Sequence, residues 1–372
     1  MPEIHSARRV RAQEQLSKFG VDAALITNGV NVRYLTGLVS SNAAVLLPAS
    51  GDAKLATDAR YLGTAERDCY DLELINERDV AEVLVSEALA GGLSSIGFED
   101  RDLTVLRHRA LVDLEDPEPG AGHRPLELVP LGGLIDRLRM IKDDAEIELL
   151  ARACQITGQA FSQMLEMLRP GVTERQYAIA LERAMVDLGA EAPAFGTIVA
   201  SGPNGAIGHH VPTDRQFQTG DLVTVDCGAK VDGYHADMTR TVAIGEPAAW
   251  QREIYELVAA AQAAGVAAAQ VGADVAEVDS AARDLISEAG HGEYFTHGLG
   301  HGVGLLIHEA PWLAQNETGT LQDRVPITVE PGIYLAGAGG VRIEDTLVVR
   351  AGTGATGSAQ SLTTITRELL VL

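Results

Sequence analysis

Hydrophobic spacing changes character about a third of the way along the chain. In the first part, short apolar runs at residues 23–27 (AALIT), 43–48 (AAVLLP) and 53–58 (AKLATD) alternate with helix-spaced stretches such as 80–90. Runs this short, separated by helical periods, predict a compact α/β unit. The opening residues, MPEIHSARRVRAQEQL, read as a helix with charge throughout. A second pattern starts near Lys142, where Asp143 and Glu146 have the spacing of a capping box and Ile147, Leu150 and Cys154 continue one apolar face. The reading is therefore an amino-terminal α/β domain over residues 1–130, a linker over 131–141 and a larger domain over 142–372.

The larger domain repeats itself. Helix-spaced residues 145–168, a turn at Pro170-Gly171, helix-spaced 174–188 and a β-patterned hairpin are echoed by 248–270, a turn at Gly272, 275–288 and a second hairpin. TVDCG in the first half matches TVEPG in the second, as an ancient duplication would leave it. The predicted architecture is α/β and α+β in two domains, the second with internal pseudo-two-fold symmetry and its sheets folded around a shared cleft with helices outside.

Each hairpin carries a pair of acids. Residues 222–225 are strand-like before Asp226, residues 230–233 supply a turn, and 238–244 return after Asp237. Likewise 327–329 precede Glu330, a glycine-rich turn spans 337–340, and 341–349 return with Glu344. Each pair is thus expected to face across its hairpin, where opposed Cβ atoms lie roughly 4.5–5.5 Å apart. Like charges so placed destabilise a sheet unless a cation lies between them. Solvated strand ends would account for one such pair, but poorly for two flanking a segment rich in histidine and glycine. With His301 from HGLGH, the four carboxylates make an oxygen-rich set suited to two hard or borderline divalent cations. The chemistry that follows is that of a two-metal hydrolase.

Other histidines crowd the same sequence: His297 and His308 around His301, and His209 and His210 in GPNGAIGHH. Gly298, Gly300, Gly302 and Gly304 argue against a zinc-binding helix and for irregular backbone that lets imidazoles converge. These glycines also lack the strand-to-helix context of a dinucleotide fingerprint. His5, His108, His123 and His291 read as surface or core residues, and His235, beside the Asp237 strand, stays open. Arg342, Tyr234 and Thr239 are candidates for orienting ligands or binding a substrate terminus, with a structural hydrogen bond an equal alternative.

Composition narrows the partners. A formal charge of −23 disfavours nucleic acid and anionic membranes. No apolar run is long enough for a bilayer, and the start is not a signal peptide. Cys69, Cys154 and Cys227 are few and scattered, which excludes a disulfide framework and suits a reducing cytoplasm; Cys227 reads as a packed thiol, not a ligand. The acidic, proline-containing stretch 115–120 reads as a surface loop.

Taken together, GPNGAIGHH, VDCGAKVDGYHADMTRT, HGLGHGVGLLIHE, VEPGIY and VRIEDT resemble the pita-bread metallopeptidase family, in the branch holding aminopeptidase P and prolidase. NVRYLTGL resembles that branch's creatinase-like amino-terminal domain and RMIKDDAEIELL the start of its catalytic domain, so the likeness spans the chain. Gly208, before His209, departs from the proline of several relatives. The resemblance implies Asp226, Asp237, His301, Glu330 and Glu344 as metal ligands, His209 and His308 as contacts to the substrate carbonyl and tetrahedral intermediate, and His297 as a substrate contact. Glu330 is assigned the transfer of a proton from water to the leaving nitrogen. It further implies two divalent ions, manganese first with cobalt or zinc compatible, a bridging hydroxide as nucleophile, a small proline-containing peptide as substrate and a homodimer. Dipeptidase and aminopeptidase activities both remain open: the first needs a cation or wall for the terminal carboxylate, the second an open channel. A non-catalytic binding protein or a metal-free creatinase-like amidinohydrolase would shed ligands that are all present here, and a methionine aminopeptidase would not need residues 1–130.

Overall fold

The computed structural model describes residues 2–114, 125–352 and 358–372. The stretch 115–120 and His123 lie outside them. The chain forms two compact units, Met1–Arg139 and Met140–Leu372.

In the amino-terminal unit six strands form one sheet in the order Glu73–Asn76, Lys54–Thr57, Ala43–Pro48, Ala23–Ile26, Ser95–Phe98 and Glu127–Pro130. The middle pairings are antiparallel and the outer ones parallel. Ala23–Ile26 is buried along its whole length, which is why it reads as an unbroken apolar run. Helix Val80–Ala90 covers one face by burying Val80, Ala81, Leu84, Val85 and Ala88, a single helical stripe. Residues 134–139, expected within a linker, are helical and belong to this unit: buried Arg139 donates to Asn31 and Asp136.

The larger unit begins with helix Asp144–Gln163, whose capping box joins Asp143 and Glu146 and whose buried face includes Ile147, Leu150 and Cys154. Helix Glu174–Asp187 follows, then an antiparallel sheet of Ile198–Ser201, Leu222–Cys227 and Met238–Ala243. The second half repeats the plan with helices Ala249–Ala268 and Val275–Glu288 and a five-stranded sheet ordered Glu309–Leu313, Gly300–Gly302, Pro326–Val329, Asp345–Arg350 and Ser358–Ser361. Helix residues Val258, Ala261, Val278 and Ala282 pack with Leu299, Val329, Val341 and Leu347 in a continuous core.

The two acidic hairpins differ in register. Pairing of Val329 with Asp345 and of Gly332 with Arg342 follows one continuous register, so Glu330 and Glu344 stand opposite each other between two ladders. The aspartates do not. Asp226 pairs with Thr239, and Asp237 lies two residues off direct opposition. The cause is a tight turn at Asp232-Gly233, both with positive φ (44° and 78°), the signature of a two-residue hairpin. It shifts the centre of symmetry from the one expected for a four-residue turn at 230–233. Nor is the HGLGH segment irregular throughout: Gly300–Gly302 is a short strand clamped between two neighbours. A Cβ on Gly300 would lie 2.1 Å from the Thr328 carbonyl oxygen, so glycine here serves close strand approach.

Candidate metal centre

The hairpins and the glycine-bounded strand aim their polar side chains into one cleft of about 1170 Å³. Nε2 of His301 lies 3.3 Å from Glu330 Oε1 and 3.6 Å from Asp237 Oδ2. Three overlapping sets of donor atoms each fall within 4.8 Å: Asp237, His301 and His308; His301, Glu330 and Glu344; Asp226, Asp237 and Glu344. The structure thus brings together all five residues expected as ligands and adds His308 at the margin.

The donors fit divalent cations on three counts. Asp226 Oδ1 and Glu344 Oε1 are buried without a hydrogen-bond partner among the described residues, a costly state for a carboxylate oxygen unless a cation meets it. Burial, with neighbouring carboxylates, pushes Asp237 and Glu344 well above the ordinary carboxyl range; burial also raises Asp226, against the pull of Arg342. Finally, His301 Nδ1 lies 3.0 Å from the Gly302 carbonyl oxygen, which only an N–H can satisfy, so Nε2 is the nitrogen that faces the cluster, where it can give up its proton to bind a cation. Glu330 behaves differently. Burial would raise it, but the hydrogen bond and charge of His301 hold it at about 2, and Glu330 in turn raises His301 against the opposing effect of burial.

Arg342 ties the centre together. Its Nη2 donates to Asp226 Oδ2 at 2.7 Å, its Nε to the Thr239 hydroxyl at 3.0 Å, and its Nη1 to the Tyr334 hydroxyl at 2.9 Å and the Gly208 carbonyl at 3.3 Å. The Thr239 hydroxyl in turn donates a hydrogen bond to Glu344 Oε2 at 2.8 Å. Tyr334 stands 2.9 Å from His297 Nε2, while His297 Nδ1 donates to Gly298 O at 2.7 Å; burial lowers the pKa of His297, against the opposing pull of Glu330 and the Gly298 carbonyl. Tyr234, by contrast, donates to Glu146 at 2.8 Å. His235 binds the Gly304 carbonyl and so supports the loop leading to His308. Cys227 is buried and free, its thiol raised well above the usual range by burial.

His209 and His210 diverge. His209 is exposed on the cleft wall, whereas His210 is buried with Nε2 2.9 Å from Glu174 Oε2. Glu174 opens helix Glu174–Asp187 and is fully buried, accepting also from the backbone and hydroxyl of Ser201, the Asn204 amide, and the backbone and hydroxyl of Thr213. One carboxylate therefore pins the whole loop that presents His209. Sequence reasoning missed Glu174, Tyr334, Thr328 and Trp312. For Tyr334 a signal existed: Glu330, Gly332 and Tyr334 alternate along one strand direction and so share a face.

Residues 148–351 match Metallopeptidase family M24, and residues 8–141 match the Creatinase/Prolidase N-terminal domain. The chain belongs to metallopeptidase family M24. An Xaa-Pro dipeptidase of Pyrococcus horikoshii is 36% identical to this M24 metallopeptidase over 358 residues, covering 96% of this chain and 97% of the relative. Among solved structures, an Xaa-Pro dipeptidase from Bacillus anthracis superposes with a TM-score of 0.90 at 36% identity, covering 99% of this chain and 100% of that one. An X-Pro aminopeptidase from Thermotoga maritima gives 0.87 at 33% identity, with 98% and 99% covered. The family implies divalent metal ions, in agreement with the donor set.

Proposed function

We propose that this M24 metallopeptidase is a dinuclear Xaa-Pro peptidase that cleaves the bond between an N-terminal residue and proline. The observation that carries the reading is the convergence of five donors, two of them with buried carboxylate oxygens that have no hydrogen-bond partner among the described residues. Asp226, Asp237, His301, Glu330 and Glu344 would hold two divalent ions. When bound, these supply Lewis-acid charge that polarises the scissile carbonyl and makes water acidic enough to attack it near neutral pH. Manganese, cobalt and zinc all tolerate this set, and we place manganese first.

The chain's own residues do the remaining work. The Glu330 carboxylate accepts the proton of the attacking water and returns it to the proline nitrogen as the bond breaks. Thr328, whose hydroxyl donates to Glu330 Oε1 at 3.2 Å, orients that carboxylate. His209 and His308 face the cleft and donate to the oxygen that gains charge, a role worth about 3–4 kcal/mol per well-placed donor. The Arg342, Tyr334 and His297 chain walls the site. Because an Xaa-Pro bond carries no N–H, recognition must come from shape around the ring.

Among the described residues no helix is long and apolar enough to cross a membrane. Three buried free thiols support a reducing cytoplasmic setting, and the family likeness supports a homodimer, which sedimentation would measure. The decisive experiment combines metal analysis with assays on Xaa-Pro peptides and N-terminal methionine peptides. Xaa-Pro cleavage that a chelator abolishes and Mn²⁺ restores is the expected result. Cleavage of methionine peptides alone by the metal-loaded protein would overturn the reading.

A further inference from the structure

Resting on the Xaa-Pro reading, in which His308 meets the oxygen that gains charge, we propose that Lys142 is a positioning residue: its buried ion pair with Glu309 fixes the loop that carries His308 into the cleft. The need for such a device is visible at the imidazole itself. His297 is held through both ring nitrogens and His301 through Nδ1. Among the described residues no hydrogen bond reaches the His308 ring, which lies edge-on to that of His301 with centroids 4.4 Å apart and 6.5 Å from that of Trp312. Its place is therefore set by its backbone. That backbone belongs to the loop 303–308, which leaves the strand Gly300–Gly302 and returns as Glu309–Leu313.

The loop is fastened at both ends. Near its start the Gly304 carbonyl accepts from the backbone N–H of His235 at 2.9 Å and from its Nδ1 at 3.0 Å. At its end Glu309, the residue after His308, pairs with Gly302 in the ladder and accepts from Lys142 Nζ at 2.5 Å. The two fastenings touch. A Cβ on Gly304 would lie 2.6 Å from Glu309 Oε1 and 2.9 Å from Lys142 Cε, so the ion pair seats directly against the loop, where only glycine leaves room.

Lys142 is itself anchored. Its backbone N–H donates to the Arg324 carbonyl at 3.0 Å, and its own carbonyl accepts from Arg324 Nε at 2.7 Å. The capping box that follows it is tied to the strand bearing His235, because Glu146 of that box accepts from the Tyr234 hydroxyl at 2.8 Å. Both ends of the loop thus rest on one support, all of it within Met140–Leu372. The Lys142 and Glu309 side chains are only 1% and 5% exposed, and two charges taken that far from water gain little net stability over apolar side chains of the same size. What they supply is a fixed separation between an anchored lysine and the neighbour of His308. A misplacement of about 1 Å can cost a reaction roughly 100-fold in rate.

The test is Lys142→Met in the Mn²⁺-loaded protein, assayed on Ala-Pro and Ala-Pro-Leu. Because His308 acts only as charge develops, kcat is expected to fall about 10- to 100-fold with KM and Mn²⁺ affinity within about twofold of wild type. In a His308→Ala background the same substitution should change kcat by less than about twofold, since nothing is left to position. Full additivity, or a loss of Mn²⁺ affinity that accounts for the fall, would overturn the inference. A buried pair broken from one side leaves a lone charge that destabilises the fold, so Lys142→Met/Glu309→Gln is measured beside it. Stability to urea should recover in that double variant while kcat stays low; recovery of both would mean that the pair does not position His308. Amide exchange of the metal-free protein gives a readout without turnover. Residues 303–308 should exchange about tenfold faster in both variants, with 275–288 unchanged, and an unaltered loop would overturn the inference. If the wild type cleaves no Xaa-Pro peptide, that reading falls alone, and the exchange comparison still decides whether Lys142 holds the loop.

Discussion

Nη2 of Arg342 donates to Asp226 Oδ2 at 2.7 Å and so joins the glutamate hairpin to the aspartate hairpin. The same guanidinium reaches Thr239, which holds Glu344, and Tyr334, which holds His297. A lysine could keep the charge but not this fork of donors. Arg342→Lys is therefore expected to lower metal affinity or kcat by about 10- to 100-fold, the usual cost of losing an orienting partner. Calorimetric Mn²⁺ titration alongside turnover checks this; wild-type values in both would confine Arg342 to a structural role.

Asp237→Asn and Glu330→Gln should each remove most activity in a protein that remains folded. For Asp237 the stability of the metal-free protein should move in the opposite direction. Its carboxyl is buried among Glu344, Asp226 and Glu330, and that crowding is unfavourable without a cation. In chelator, Asp237→Asn is expected to melt higher than the wild type, by about 2–4 °C for each kcal/mol of repulsion relieved. In Mn²⁺ the order should reverse, because only the wild type gains full binding energy. Scanning calorimetry in both buffers measures it, and near-normal turnover of either variant would refute its assigned role.

Glu174 predicts a pH dependence on the acid side. Burial pushes its carboxyl up, but donors from Thr213, Asn204, His210 and Ser201 outweigh burial and hold it at about 2, below the 4.5 of a free glutamate. A depressed carboxyl stabilises the fold above its unfolded pKa and loses that contribution as pH falls from about 4.5 toward 2. The amount is on the order of 3 kcal/mol. Glu174→Gln should lose a comparable amount at pH 7, flatten the acid limb and speed amide exchange over residues 201–213. Unaltered exchange there would show that the His209 loop holds itself.

Much of this centre was readable because its donors lie in short, β-patterned segments where local turn chemistry sets the geometry. Gly337 marks the middle of the glutamate hairpin, and the register of Glu330 with Glu344 follows. The aspartate hairpin was legible in principle too, since Asp232-Gly233 is itself a tight-turn dipeptide; including Lys230 and Val231 in the turn displaced the register by two. The strand at Gly300–Gly302 was hidden because its glycines answer to carbonyls of two neighbouring strands, one of them near residue 328. Glu174 was less legible still. An acid in a helix's first turn looks like ordinary dipole chemistry, and the donors that bury it come from residues 27 to 39 positions away.

Glu99 in the amino-terminal unit predicts the opposite slope. Burial raises its carboxyl to about 7, despite hydrogen bonds from the backbone of Asn28 and Thr27 and the side chain of Asn31. For an acid whose folded pKa lies above its unfolded value, the folded state binds the extra proton. Stability is then undiminished below about pH 4.5, falls as pH rises toward about 7 and is level beyond it. The loss is on the order of 3 kcal/mol. Glu99→Gln keeps an oxygen for one set of donors and has no proton to lose, so its stability should vary less between pH 5 and pH 8. Urea unfolding of wild type and variant at those two pH values, followed by hydrogen exchange in residues 27–36 to localise the effect, gives the comparison. A wild type that is more stable at pH 8 than at pH 5 in that segment would mean that the three donors win over burial and that Glu99 is charged in the folded protein.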